Sequence, residues 1–249
     1  ALGLAPPLGP ISGVAVTVPN HLAGIRNVEL PDWKLKNTQI GARFEGVSKD
    51  GTIAFSVNGL IGRSQMPSMH AIRPSALAFD MVFPRTSVLG GSMDFNIEPL
   101  NTTVRLEGAL SHGEEFVDTL ESSLYSKHRV WRSVVGLDRA SQIDWINPER
   151  TTLISAQFFW QHIVGFQETS TTTPTSLNNG LPGAVKEGTV GWKDNHLFTL
   201  LISAQYMQDR LNPQLIFARD IQARANVIQP HVTFLYTDKL KFKVGANYK

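Results

Sequence analysis

The chain has 249 residues, 42% hydrophobic and 18% charged, with a net charge of +2 at pH 7 and no cysteine. That length holds one large β domain or two ordinary domains. The even charge balance without a basic cluster argues against a nucleic-acid partner, and the lack of thiols excludes disulfides and thiolate metal sites.

No run approaches the roughly 18 apolar residues of a membrane helix. A membrane β-barrel stays open, because its half-polar strands escape hydropathy scans. The chain opens on Ala1 without a secretion signal, and the expectation is an internal piece of a longer protein.

Residues 1–32 are rich in Pro, Gly and small apolar side chains, including Pro6, Pro7, Gly9, Pro10, Pro19 and Pro31. They read as an irregular loop or plug segment, with one short strand at Ile11 to Val18. From residue 33 to 249 the pattern is that of strands. Ile40, Ala42 and Phe44 alternate with Gln39, Arg43 and Glu45, and after a turn at Lys49-Asp50-Gly51 the alternation resumes with Ile53, Phe55 and Val57. Residues 64–85 read as a long loop carrying Met66, Met69, Leu77, Phe79, Met81 and Phe83, either a greasy entry site for apolar ligands or a loop folded inward to pack the barrel mouth.

A second hairpin sets Leu89, Met93, Phe95 and Ile97 on one face, turns at residues 98–101, and returns with Val104, Leu106 and Leu110. Gly90-Gly91 inside it points to a bend or close strand packing. Residues 112–127 read as a second long loop. The strand from Arg129 to Leu137 is followed by a connection at residues 139–150. Ile154, Ala156, Phe158 and Trp160 then share a face. Residues 166–195, with a Thr/Ser run, form the longest expected loop. The tail from His196 to Lys249 is four strands with tight turns at 209–212 and 237–238 and a short connection near residues 223–226, and its last strand sets Leu240, Phe242 and Val244 against Lys241 and Lys243.

The expected fold is all-β: an antiparallel up-and-down transmembrane β-barrel, about ten strands of it, most of roughly 9–12 residues, close to the roughly 9–11 of tilted membrane strands. The connections 49–51, 98–101, 139–150, 209–212 and 237–238 are short or medium. Those at 64–85, 112–127 and 166–195 are long. Outer-membrane barrels show this asymmetry between periplasmic turns and extracellular loops. Trp33, Trp131, Trp160, Trp192 and Tyr248 fall near the outer strand ends, and Trp145, Tyr206 and Tyr236 near the inner ends, as interface aromatics do.

Several segments resemble a known family: Leu35 to Gly41, Val88 to Phe95, Gly136-Leu137-Asp138-Arg139, Trp145-Ile146-Asn147-Pro148 and Ser155 to Phe159. Over roughly residues 33–249 the chain is similar to the carboxy-terminal part of an uncharacterised, domain-of-unknown-function family of proteobacterial outer-membrane proteins, often encoded beside an RND-type exporter. The resemblance implies a porin-like barrel and a link to transport of hydrophobic compounds. It supplies no catalytic residues.

The polar face carries Arg43 with Glu45 and Arg105 with Glu107, on alternate positions of single strands and so pointing the same way, joined by Asp94, Arg132, Lys241 and Lys243. These eight are the lumen or selectivity candidates; the competing view is an ion-pair lattice filling a closed barrel. The seven histidines lack metal-ligand spacing, so no metal and no cofactor is expected. Ser92, Ser155 and Ser203 lie in strands without a nucleophile turn, and no catalytic residue is assigned.

The functional expectation is a channel or transport-associated protein in the outer membrane of a Gram-negative bacterium. Its partners would be outer-membrane lipid and periplasmic transport components. The alternatives are a soluble β-sandwich or lipocalin-like binding protein, and a barrel lipid hydrolase.

Overall fold

The computed structural model describes residues 24–72, 75–118, 120–121, 123–168 and 188–249. The expected strand at Ile11 to Val18 and the Thr/Ser run of the longest loop lie outside them. Two sheets are formed. The small one has the order β1-β5-β4 (β1 Gly24–Glu29, β4 Ser68–Ile72, β5 Ser75–Val82), with β1 parallel to β5. The large one has ten strands, all antiparallel, in the order β13-β12-β11-β10-β9-β8-β7-β6-β3-β2. Its members are β2 (Ile40–Val47), β3 (Ile53–Arg63), β6 (Arg85–Ile97), β7 (Thr102–Val117), β8 (Tyr125–Ile143) and β9 (Asn147–Val164), then β10 (Asp194–Ser203), β11 (Leu211–Asp220), β12 (Ala225–Thr237) and β13 (Leu240–Gly245).

The large sheet is an up-and-down meander in which the small sheet interrupts the connection from β3 to β6. β2 and β13 are its edges.

Several expectations are corrected. Residues 64–85 are not loop throughout but contain β4 and β5. β1 lies in the stretch expected to be irregular, where it gains a ladder with β5. The loop placed at 112–127 shrinks to residues 118–124, because β7 runs to Val117 and β8 starts at Tyr125. The connection expected at 139–150 is a three-residue turn, 144–146.

Local chemistry explains the tight ends. In the β2–β3 turn, the Asp50 carboxylate accepts the Ser48 hydroxyl (2.5 Å), the Thr52 hydroxyl (2.9 Å) and the Thr52 N–H (3.2 Å). These bonds, Ser48's foremost, hold its carboxyl below the ordinary range. In the β8–β9 turn, buried Asn147 accepts the N–H groups of Glu149 and Arg150 and donates to the Gln205 carbonyl, while the Tyr206 hydroxyl donates to the Ile146 carbonyl. One neighbouring turn is thereby fastened to the next. At the other end of β7, Gly113 takes φ 83 in a bulge opposite β8, where a side chain is disfavoured.

Candidate functional site: the two faces of the large sheet

Residues directly opposite in an antiparallel ladder share a face, so the register sorts every strand. One face collects Phe44, Phe55, Val57, Leu89, Met93 and Phe95 from β2, β3 and β6. It continues through Val104, Leu106, Leu110, Trp131, Val135, Leu137, Ala156, Phe158 and Trp160 on β7 to β9. Phe198, Leu200, Ile202, Leu215, Phe217, Ile228, Val232, Phe234, Phe242 and Val244 complete it on β10 to β13. Ten strands thus contribute to one apolar surface.

That surface is open: Phe44 is 64% exposed, Leu89 63%, Val135 43% and Val244 75%. Among the described residues only Val104, Val130, Ile163 and Ala204 are buried apolar side chains. A water-soluble domain of this length buries most of its large apolar side chains; this chain displays them.

Charged residues bracket the apolar band. On β8, Arg129 and Arg139 lie on the apolar face, ten residues apart, with Trp131, Ser133, Val135 and Leu137 between them. Ten residues rise about 33 Å along a strand, which a tilt of about 40° reduces to about 25 Å, the height of the lipid-facing band of a membrane barrel.

The other face carries all eight charged candidates: Arg43 and Glu45 on β2, Asp94 on β6, Arg105 and Glu107 on β7, Arg132 on β8, and Lys241 and Lys243 on β13. Arg43 Nε meets Glu45 Oε1 at 2.5 Å. Arg105 does not pair with Glu107. It bridges Asp94 (3.3 Å) and Asp138 (3.2 Å) on the two flanking strands. Arg132 makes a two-pronged pair with Glu114 (2.5 and 2.7 Å) and a bond to Gln161 (2.9 Å). Among the described residues Glu107, Lys241 and Lys243 have no ion-pair partner. Apolar side chains share this face in the middle of the sheet in two groups: Val134, Phe159 and Leu197 in one row across β8 to β10, and Leu201 opposite Ile216 four residues along β10, with Thr199 and Gln157 between the two.

The aromatic candidates sit at the ends. Trp131 lies opposite Leu110 toward the loop end, and the Trp160 indole donates to Asp194 there (3.0 Å). Trp33 precedes β2 and Trp145 forms the β8–β9 turn, both exposed. Tyr236 packs edge-on against Phe242 beside the β12–β13 turn, and Tyr248 pairs with Ile228.

A polar cluster at the loop end of β7 and β8 was not anticipated. His70 from β4 stacks on Tyr125 (3.7 Å between centroids) and meets Glu115 at 2.6 Å, with Lys127 on the same carboxylate at 3.4 Å. Buried Asp118 accepts the hydroxyls of Ser126 (2.8 Å) and Thr189 (3.2 Å), which ties the segment after the long loop to β7. Ser126 also meets His128 Nε2 at 2.6 Å, but His128 Nδ1 faces the Val164 carbonyl, not a carboxylate. The order Asp–Ser–His lacks the base-orienting acid of a hydrolase triad.

The model of a family described as protein of unknown function (DUF1302) matches residues 10–249 of the chain. No curated protein and no solved structure matches it.

Proposed function

We propose that this chain, which belongs to the DUF1302 family of proteins of unknown function, forms an outer-membrane β-barrel of a Gram-negative bacterium that passes or hands on hydrophobic solutes. One observation carries the reading: ten strands place their apolar side chains on one open face, and between the strand ends the charged side chains, Arg43, Glu45, Asp94, Arg105, Glu107 and Arg132 among them, lie on the other. A sandwich or lipocalin-like sheet buries such a face under a second layer. Lipid covers it here.

In this arrangement β2 and β13 close the wall by pairing, with each other or with further strands, since a free edge in a bilayer leaves backbone groups unsatisfied. Arg43, Glu45, Asp94, Arg105, Glu107, Arg132, Lys241 and Lys243 then face the solute path. The two apolar groups on that same face, Val134 with Phe159 and Leu197, and Leu201 with Ile216, support a hydrophobic solute. Periplasmic transport components are the natural partners of the turn side. The protein performs passage, with no chemical step.

The test is fractionation of cells expressing the full-length protein, followed by gel electrophoresis with and without boiling. A barrel gives outer-membrane enrichment and a heat-dependent shift in mobility. A soluble protein that migrates identically in both lanes would overturn the reading.

A further inference from the structure

On the apolar face of β2, β3, β6 and β7 the surface is cut by a groove of about 470 Å3. Its walls are Ile40, Ile61, Leu89 and Leu110, and its floor is low because Ala42 lies directly opposite Gly59. One step up the same face toward the loop end, Arg63 and Arg85 stand directly opposite each other. Like charges in that position repel.

Their hydrogen-bond partners are neutral. Arg63 donates to Asn37 Oδ1 (3.1 and 2.8 Å) and to the Phe83 carbonyl (2.8 Å), and Arg85 donates one N–H to the Lys36 carbonyl (2.8 Å). Among the described residues no carboxylate pairs with Arg63, Arg85 or Lys36. Two carboxylates nearby are taken: Asp32 by Lys34 (3.0 Å), and Glu115 by His70 and Lys127. Two guanidinium forks with unused donors thus head an apolar groove.

We propose that the groove holds one anionic lipid of the surrounding bilayer, its phosphate head on Arg63 and Arg85 and an acyl chain over Gly59. The inference rests on the bilayer reading above. Guanidinium forks match phosphate oxygens in pairs, and basic pockets at the edge of a membrane protein hold lipid head groups. The groove opens on the face opposite Arg43, Asp94 and Arg105, so its occupant comes from the bilayer and not from the solute path.

The full-length protein is inserted into vesicles of phosphatidylcholine containing increasing phosphatidic acid, and the temperature at which the unboiled gel form disappears is followed. A lipid bound only by the folded barrel raises that temperature, by an amount that grows with the logarithm of its concentration once the site fills. Two variants report on the two halves of the site. Arg85→Gln removes a head contact while leaving Arg63's bonds intact. Gly59→Leu fills the floor, where an added Cβ meets only ordinary contacts, at 3.8 Å from the Val88 oxygen and 4.0 Å from Leu89 Cδ1.

The wild type is expected to rise with phosphatidic acid, and each variant to need about tenfold more phosphatidic acid for the same rise. No rise in the wild type, an equal rise in both variants, or the same rise from inorganic phosphate in pure phosphatidylcholine would overturn the lipid assignment alone. Failure to enter phosphatidylcholine vesicles at all would overturn the bilayer reading and the lipid site with it.

Discussion

Replacing Val135 by arginine separates a lipid-facing sheet from a water-facing one. Val135 lies midway along β8 on the apolar face, opposite Leu106 and Phe158, and is 43% exposed. On a wetted surface such a change is worth within about 0.5 kcal/mol. At the midplane of a bilayer it costs about 2–4 kcal/mol, falling to about 0–1 kcal/mol near the interfaces. In the proposed barrel Arg129 and Arg139 would mark those interfaces on the same strand face, three residue pairs from Val135 in one direction and two in the other.

The cost is therefore graded: largest for Val135→Arg, smaller for Trp131→Arg, and close to nothing for Val134→Arg, which points to the other side beside Glu107, a carboxylate in want of a partner. Unfolding in urea, monitored for barrels inserted in vesicles, gives the three free energies. A cost at Val135 no greater than that at Val134 would refute the lipid-facing assignment.

Three further outcomes follow from the same geometry. A Cβ added at Gly91 would lie 2.8 Å from the Ser56 carbonyl oxygen, so Gly91→Ala lowers the unfolding temperature whereas Gly59→Ala leaves it nearly unchanged. Asn147→Ala strips a buried side chain from three backbone partners and costs about 1–3 kcal/mol in urea unfolding. Arg105→Gln leaves Asp94 and Asp138 without their shared cation, and in planar-bilayer recordings it shifts ion selectivity toward cations.

The strands were legible because each repeats apolar and polar side chains with period two, and the ten of the large sheet follow that pattern from Ile40 to Val244. Their outer ends were not. Beyond His112 and Arg129 the apolar alternation stops, with Glu114, Glu115 and Lys127 in its place, yet the hydrogen-bonded ladder continues to Val117 and Tyr125. Hydrophobic pattern reports an apolar medium and falls silent where a strand is packed by polar side chains that pair with one another, as Glu115 does with His70 and Lys127.

The ion pairs show a second limit. Residues two apart on one strand are about 7 Å apart along the backbone, and a direct cross-strand neighbour is nearer, about 4.5–5.5 Å. Arg105 in the sheet interior therefore takes Asp94, its direct cross-strand neighbour, and Asp138, a diagonal one, in place of Glu107. Arg43 on edge strand β2 has Asn58 on its one occupied side, and it pairs along the strand with Glu45. Register decided both, and composition does not encode register. Arg63 and Arg85 were readable in principle, since they flank the insertion between two strands and the ladder brings such flanking residues together.

The most direct measurement exploits the absence of native cysteine. Single cysteines at residues 131 to 135, 137 and 138 of β8, each carrying a nitroxide, are compared in vesicles for collision with oxygen dissolved in lipid and with a water-soluble nickel complex. A barrel wall predicts strict alternation: positions 131, 133, 135 and 137 respond to oxygen, and 132, 134 and 138 to nickel. Odd positions shielded from both agents, as in a packed protein core, or positions of both parities responding to nickel alike, would contradict it.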